Sequence, residues 1–255
     1  MSSIQHNEIV VDQYDSLAGA YLASSVHANG QELSRLASLV RARSDGVALD
    51  LGCGAGHLAY RLAPLFGQVL ACDLLPAMLE AVAAEARRRG LANIATRQCA
   101  AEDLPFLSAS FDLVATRYSA HHWRDLAAGL AGMHRVLKPG GQALFFDVVA
   151  PESTLADTWL QTIELLRDPS HVRDASLSEW CRHLEAAGYR IGEIVSSRQR
   201  LEFLPWIERM RTPAVHVAAI RALLQRAGSE VAGTLQIEAD GSFTVDTALI
   251  LASRD

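Results

Sequence analysis

The chain has 255 residues, half of them hydrophobic and a fifth charged, which is ordinary globular composition and enough for one large α/β domain with a full core. Its formal net charge of −6 argues against a nucleic-acid backbone as the main partner, which would need clustered Lys and Arg. The four cysteines, Cys53, Cys72, Cys99 and Cys181, show neither CxxC spacing nor a neighbouring His in metal-ligand register, so no metal site and no disulfide framework are expected.

The stretch MSSIQHNEIVVDQYD lacks a basic region followed by an apolar one, and no run approaches the roughly 18 apolar residues of a membrane span. A cytoplasmic protein with no membrane span is therefore expected. Residues 12–43 carry a helical pattern, with Leu33, Leu36, Ala37, Leu39 and Val40 on one face and Gly46 as a stop. From there short apolar runs predict strands over 47–51, 68–72, 94–98, 112–116 and 142–149, with helices between them over 57–66, 76–89 and 126–137. The basic run EARRRG falls at a helix C-terminus, where cations are favoured by the helix dipole. LKPGG reads as a helix stop and turn into the fifth strand. Beyond Pro151 the pattern predicts helices over 154–166 and 177–187, a strand over 189–203, a helical insert over 204–227 interrupted by Pro213, and a turn and strand in DGSFTVDTALILASRD.

Strands alternating with helices imply βαβ units and a sheet covered on both faces. The expected fold is α/β: a Rossmann-like, doubly wound, mostly parallel sheet with an antiparallel C-terminal strand, an N-terminal helical segment and helical lid inserts. It is read as one domain over 1–255, divided into an N-terminal helical segment (1–46), a ligand-binding core (47–150) and substrate-side helices with the last strands (151–255).

In such sheets ligands bind beyond the carboxyl ends of the strands. VALDLGCGAGHL places Gly52, Gly54 and Gly56 at that point, after the first strand. The dinucleotide fingerprint G-x-G-x-x-G would put its third glycine where His57 stands. Asp50, at the strand end, would repel a pyrophosphate but suits an ammonium or sulfonium charge. Asp73 follows about 20 residues after the loop, at the spacing of an acid that accepts from ribose hydroxyls. A ribose, a positive charge and no phosphate cradle together describe S-adenosylmethionine. Either acid could instead serve only to cap its turn.

The ordered motifs LDLGCGAGHLA, ACDLLPAML, AEDLPF, FDLVATRYSAHHW and VLKPGG resemble those of class I S-adenosylmethionine-dependent methyltransferases. The likeness is to the small-molecule group that includes the ubiquinone/menaquinone C-methyltransferases and the malonyl-carrier methyltransferases, and it covers residues 47–149. The resemblance implies that Gly52, Cys53, Gly54 and Gly56 wrap the methionyl and ribose portions, with Asp50 near the amino group and Asp73 on the ribose. It implies further that Leu74 and Met78 pack on the adenine, that Ala101 and Glu102 meet its edge, and that Arg117 and Tyr118 line the methionyl side. Tyr14 and Tyr21 could close over the cofactor from the N-terminal segment. One departure is CAAEDLPF, which places Ala100 where relatives often carry an acid.

The expected reaction is methyl transfer to a small-molecule acceptor at carbon, oxygen or nitrogen, leaving S-adenosylhomocysteine. The alternatives are a non-catalytic module that binds the same cofactor and an NAD-dependent oxidoreductase. The catalytic candidates are His121 and His122 in SAHHW, because imidazole suits general-base duty, and Asp147 is a further polar residue at the same sheet edge. Trp159, Trp180 and Trp206 could stack on an acceptor, and RDPSHVRDASLSEW could orient a polar one.

Overall fold

The computed structural model describes residues 5–14 and 31–255 of the chain. Its centre is a seven-stranded sheet formed by β1 (Arg43–Leu51), β2 (Phe66–Asp73), β3 (Ile94–Gln98), β4 (Phe111–Arg117), β5 (Leu137–Val149), β6 (Arg190–Leu201) and β7 (Phe243–Ser253). The order is β3-β2-β1-β4-β5-β7-β6. Every pairing from β3 to β5 is parallel, and β7 runs antiparallel to both of its neighbours.

β1 and β4 read as near-continuous apolar runs because they are covered on both faces. Alternate residues feed opposite cores. Leu49, Leu51, Val114 and Phe145 pack on one side with Trp180 and Leu184, while Ala48, Leu113, Ala115 and Phe146 pack on the other with Leu33, Leu36 and Leu58. A third core joins the late helices through Leu160, Phe203, Trp206, Ile220 and Phe243. After β1 the chain builds β2 and β3 on one side, then returns to build β4 and β5 on the other. The crevice at this switch point lies beyond the carboxyl ends of β1 and β4.

Among the described residues the helices are α1 (His6–Tyr14), α2 (Gln31–Leu39), α3 (His57–Leu62), α4 (Pro76–Arg88), α5 (Leu126–Val136), α6 (Thr154–Arg167), α7 (Leu177–Ala186), α8 (Phe203–Arg209), α9 (Ala214–Arg226) and α10 (Ser229–Leu235), with a short 3-10 turn at Ala120–His122. The helix predicted over 12–43 corresponds in part to α1 and α2, and its middle, with Tyr21, lies outside the described residues. α3 stops at Leu62 ahead of Pro64, short of the predicted 66, because proline supplies no amide donor to continue the ladder. LKPGG is not a free turn. β5 begins at Leu137, directly after α5, and Gly140 bends it with φ +74 while donating its amide to the Arg254 carbonyl at 2.7 Å. The predicted break at Pro213 is seen between α8 and α9. α10 was not foreseen: it is short and buries only Val231 and Leu235. Among the described residues, no helix is long and apolar enough to cross a membrane.

Candidate active site

The turn after β1 carries three glycines with positive φ, and each meets a different surrounding. A Cβ on Gly52 would collide with the Ser119 side chain, so that glycine permits the close approach of the β4 loop. A Cβ on Gly54 would project into open space, and Gly54 lines the cavity at the switch point. A Cβ on Gly56 would meet Tyr60 and Val82 at 2.9 Å. Gly56 therefore turns the chain into α3 from behind the cavity wall, and it is the one glycine of the three that does not line it.

Gly56 is the N-cap of α3 and has no side chain to offer, so the cap is supplied from β1. Asp50, only 1% exposed, accepts from the Ala59 amide at 2.9 Å. Burial pushes its carboxyl up to about 7, against the opposing pull of the Ala59 amide and Arg117, and Asp73 raises it further. Asp73 ends β2 and accepts from the Gly54 amide at 2.8 Å and the Leu75 amide at 3.1 Å, which ties the glycine turn to the second strand. Burial raises its carboxyl too, in spite of those amides. Two buried carboxyls beside an open glycine turn form an acceptor-rich, negative pocket. It fits a ligand bearing an ammonium or sulfonium charge and sugar hydroxyls, and it opposes a pyrophosphate.

Cys53, Leu74, Met78, Ala101, Glu102, Arg117 and Tyr118 line the same cavity. Met78 packs with Leu75 and with Val10 of α1. Glu102 turns one oxygen to the Arg124 amide at 2.8 Å, ahead of α5. Tyr118 takes φ +51 and donates its hydroxyl to Gln199 at 2.7 Å, linking the end of β4 to β6.

At the other end of the cavity the two predicted histidines both line it but have different partners. His121 Nδ1 lies 2.6 Å from Asp147 Oδ1, which leaves Nε2 as the ring nitrogen that Asp147 does not engage. Asp147 is itself fixed by the Ala120 and Val148 amides, both at 2.9 Å. Burial alone would lower His121, but the charge and hydrogen bond of Asp147, with Asp174 and Glu164 adding, carry it up to about 9. His122 instead packs into a structural network. Its Nδ1 is 3.1 Å from the Ser170 carbonyl oxygen and its Nε2 is 3.1 Å from the Tyr14 hydroxyl, which donates to Asp168 at 2.8 Å. Burial and the neighbouring His121 hold it down to about 4. Tyr14 thus lines the cavity on the histidine side.

The segment 167–180 contributes more than its polarity foretold. Arg167, His171 and Asp174 line the cavity, together with Glu164 of α6. His171 donates from Nε2 to Gln161 at 2.8 Å, and burial beside His121 and His122 holds it down to about 2. Asp174 is 2% exposed, and its Oδ2 has no hydrogen-bond partner among the described residues, with His171 Nε2 3.9 Å away. Of the three tryptophans, Trp206 lines the cavity, Trp180 belongs to the core under the sheet, and Trp159 does not line the cavity. Asp174, Glu164 and Gln199 were not singled out from the sequence. The only signal for Asp174 was the mixed polar run that contains it.

Residues 49–145 match the family model described as a methyltransferase domain. The uncharacterized protein YafE of Escherichia coli (strain K12) is 42% identical over 203 residues, covering 80% of this chain and 98% of that protein. The uncharacterized methyltransferase YcgJ of Bacillus subtilis (strain 168) is 34% identical over 220 residues, covering 86% of this chain and 87% of its own length. The crystal structure of YcgJ superposes with a TM-score of 0.84 at 32% identity over 87% of this chain and 97% of that one. The ubiquinone/menaquinone biosynthesis C-methyltransferase UbiE of Cellvibrio japonicus is 32% identical over 156 residues, 57% of this chain and 62% of that protein.

Proposed function

Because this chain belongs to the class I S-adenosylmethionine-dependent methyltransferases, we propose that it methylates a small organic acceptor seated beside His121. One observation carries the reading: a single cavity runs from Asp50, Asp73 and Gly54 at the switch point to His121 and Asp174 under the late helices. We assign its switch-point end to the cofactor and its histidine end to the acceptor.

At the cofactor end, Asp50 faces the amino group and Asp73 accepts from the ribose hydroxyls. Gly52, Cys53 and Gly54 follow the methionyl and ribose portions, and Gly56 sets the turn that holds them. Leu74 and Met78 flank the adenine, Ala101 and Glu102 meet its edge, and Arg117 and Tyr118 line the methionyl side. When bound, S-adenosylmethionine supplies a sulfonium methyl whose bonding pair returns to sulfur as the acceptor's pair takes the carbon. Positioning in line with that methyl supplies much of the acceleration. His121 takes the acceptor's proton at Nε2, with Asp147 fixing the ring and stabilising the imidazolium. A cation bound in the same cavity opposes a second positive charge, which favours the neutral, proton-accepting form of His121. His122 and Tyr14 hold the 3-10 turn against α1 and the Ser170 loop.

Calorimetric titration with S-adenosylhomocysteine, with NAD in a parallel cell, tests the cofactor assignment. Micromolar binding of the first alone is expected. Radiolabelled methyl transfer to a panel of hydroxyl, carbon-acid and amine acceptors tests the chemistry. Binding without turnover on any of them would favour the non-catalytic module.

A further inference from the structure

Two cysteines meet beside Asp73, and the methyl-transfer chemistry above uses neither. Cys72 precedes Asp73 at the end of β2, and Cys99 directly follows β3; both are free thiols. Cys72 is opposite Arg97 in the β2–β3 ladder, so Cys99, two residues on, returns to the same face of the sheet. There the two thiols interact side chain to side chain, and Cys99 packs on the core cluster that contains Cys72. Their access to solvent differs. Cys72 is fully buried, whereas Cys99 is partly exposed and lines the cavity at its switch-point end.

We propose that Cys72 and Cys99 are a modification site, a thiol pair that a peroxide converts to a disulfide, and that the disulfide weakens cofactor binding. The second half of the proposal rests on the reading of this cavity as the S-adenosylmethionine site. A small peroxide enters through the cavity and meets Cys99 first, because only that thiol lines it. The Cys99 sulfur attacks a peroxide oxygen, the O–O bond breaks, and the departing oxygen leaves as water, giving a sulfenic acid. The Cys72 sulfur then gives up its proton and attacks the Cys99 sulfur; the S–O bond breaks and a second water leaves. The two thiols lose two electrons and two protons in all, and the peroxide is reduced to two waters. Cys53 also lines the cavity, but its thiol is turned to the Gly54 carbonyl oxygen at 3.6 Å. A disulfide holds its sulfurs at about 2.0 Å, closer than two thiols in contact, so the bond draws the β3 end toward β2. Both backbones there serve the cofactor turn. The Cys72 carbonyl oxygen accepts from the Cys53 amide at 2.9 Å, the Asp73 carbonyl oxygen accepts from the Cys99 amide at 3.1 Å, and the Asp73 carboxylate holds the Gly54 amide. Ala101, two residues beyond Cys99, moves with the same loop and lines the cavity.

The test treats the full chain with hydrogen peroxide, with and without saturating S-adenosylhomocysteine, blocks the remaining thiols with N-ethylmaleimide and maps the peptides by mass spectrometry without reduction. A Cys72–Cys99 linked peptide is expected, and S-adenosylhomocysteine, filling the route to Cys99, should slow its formation by about tenfold or more. Calorimetry on the oxidised protein should show S-adenosylhomocysteine affinity about tenfold lower or worse, restored by dithiothreitol. C99S should give no linkage and keep its affinity under peroxide. C72S should leave Cys99 as a sulfenic acid that dimedone captures. Cys99 linked to Cys53, no linkage at all, a rate indifferent to S-adenosylhomocysteine that the protein binds, or oxidised protein that binds it as tightly as reduced would overturn the proposal. If C72S does not fold, the peptide map of the unaltered protein decides. Reduced protein that fails to bind S-adenosylhomocysteine counts against the methyltransferase site, while the linked peptide is read independently of any ligand.

Discussion

Asp50 carries a titration into the working range. Its carboxyl rests near 7 because burial disfavours the charge, and a cationic ligand favours that charge. Affinity for S-adenosylmethionine should therefore fall as pH drops below about 7, by up to about tenfold per unit, and D50N should flatten the dependence. Calorimetry in a series of buffers checks both. Asp73 makes a simpler case. D73A should weaken S-adenosylhomocysteine binding by about 1–3 kcal/mol, partly through lost ribose contacts and partly because the Gly54 amide loses its acceptor. H121Q should lower kcat with little change in cofactor affinity, and H122Q should lower the melting temperature, since only the first ring is free of the Tyr14–Asp168 network. Asp50 and the glycines were legible in the sequence because one strand-end turn holds them, and Asp73 because it ends the next strand, about 20 residues on. Asp174 was not, because its meeting with His121 and Asp147 joins three segments far apart in the chain, and no local pattern encodes that convergence.

Among the elements, the sheet's lower edge depends on one residue. Asp112, at the start of β4, accepts from the Val47 amide of β1 at 2.9 Å and pairs with Arg43 and with Lys138 of β5, both at 2.7 Å. Burial works against its charge, but Lys138, the Val47 amide and Arg43 outweigh that and hold the carboxyl below the usual range. The stabilisation is therefore fully present above the unfolded pKa of about 3.9 and is lost as pH falls through the lower folded value. D112A should destabilise by about 1–3 kcal/mol in urea unfolding at neutral pH, and the difference should shrink in acid. The order of strands and helices over 47–149 was legible because buried parallel strands are plain apolar runs. The ends were less so: β1 extends back to Arg43 through polar residues that Asp112 and the β2 pairing recruit, which is a tertiary effect. Gly129 shows the same dependence. A Cβ there would meet the Trp123 ring at 2.5 Å, so a helix interior gives up propensity for a partner outside it.

Across the whole molecule, α1 touches both ends of the cavity. Val10 packs on Leu75 and Met78, His6 approaches the His122 carbonyl oxygen at 3.1 Å, and Gln13 donates to the Met210 carbonyl oxygen at 3.1 Å. Removing residues 1–14 should speed S-adenosylhomocysteine release by about tenfold or more, equivalent to about 1.4 kcal/mol, in a stopped-flow chase. An unchanged release rate would mean that α1 is no part of the enclosure. β7 bears on a different stage of the protein's life. The ribosome delivers Phe243–Ser253 after every other strand, yet it belongs between β5 and β6. A nascent chain paused before Phe243 can already join β1 to β5, while β5 and β6 each wait with an unpaired edge. Newly made copies are thus most prone to associate before Phe243–Ser253 is in place, and slow translation of that stretch would lengthen the exposure.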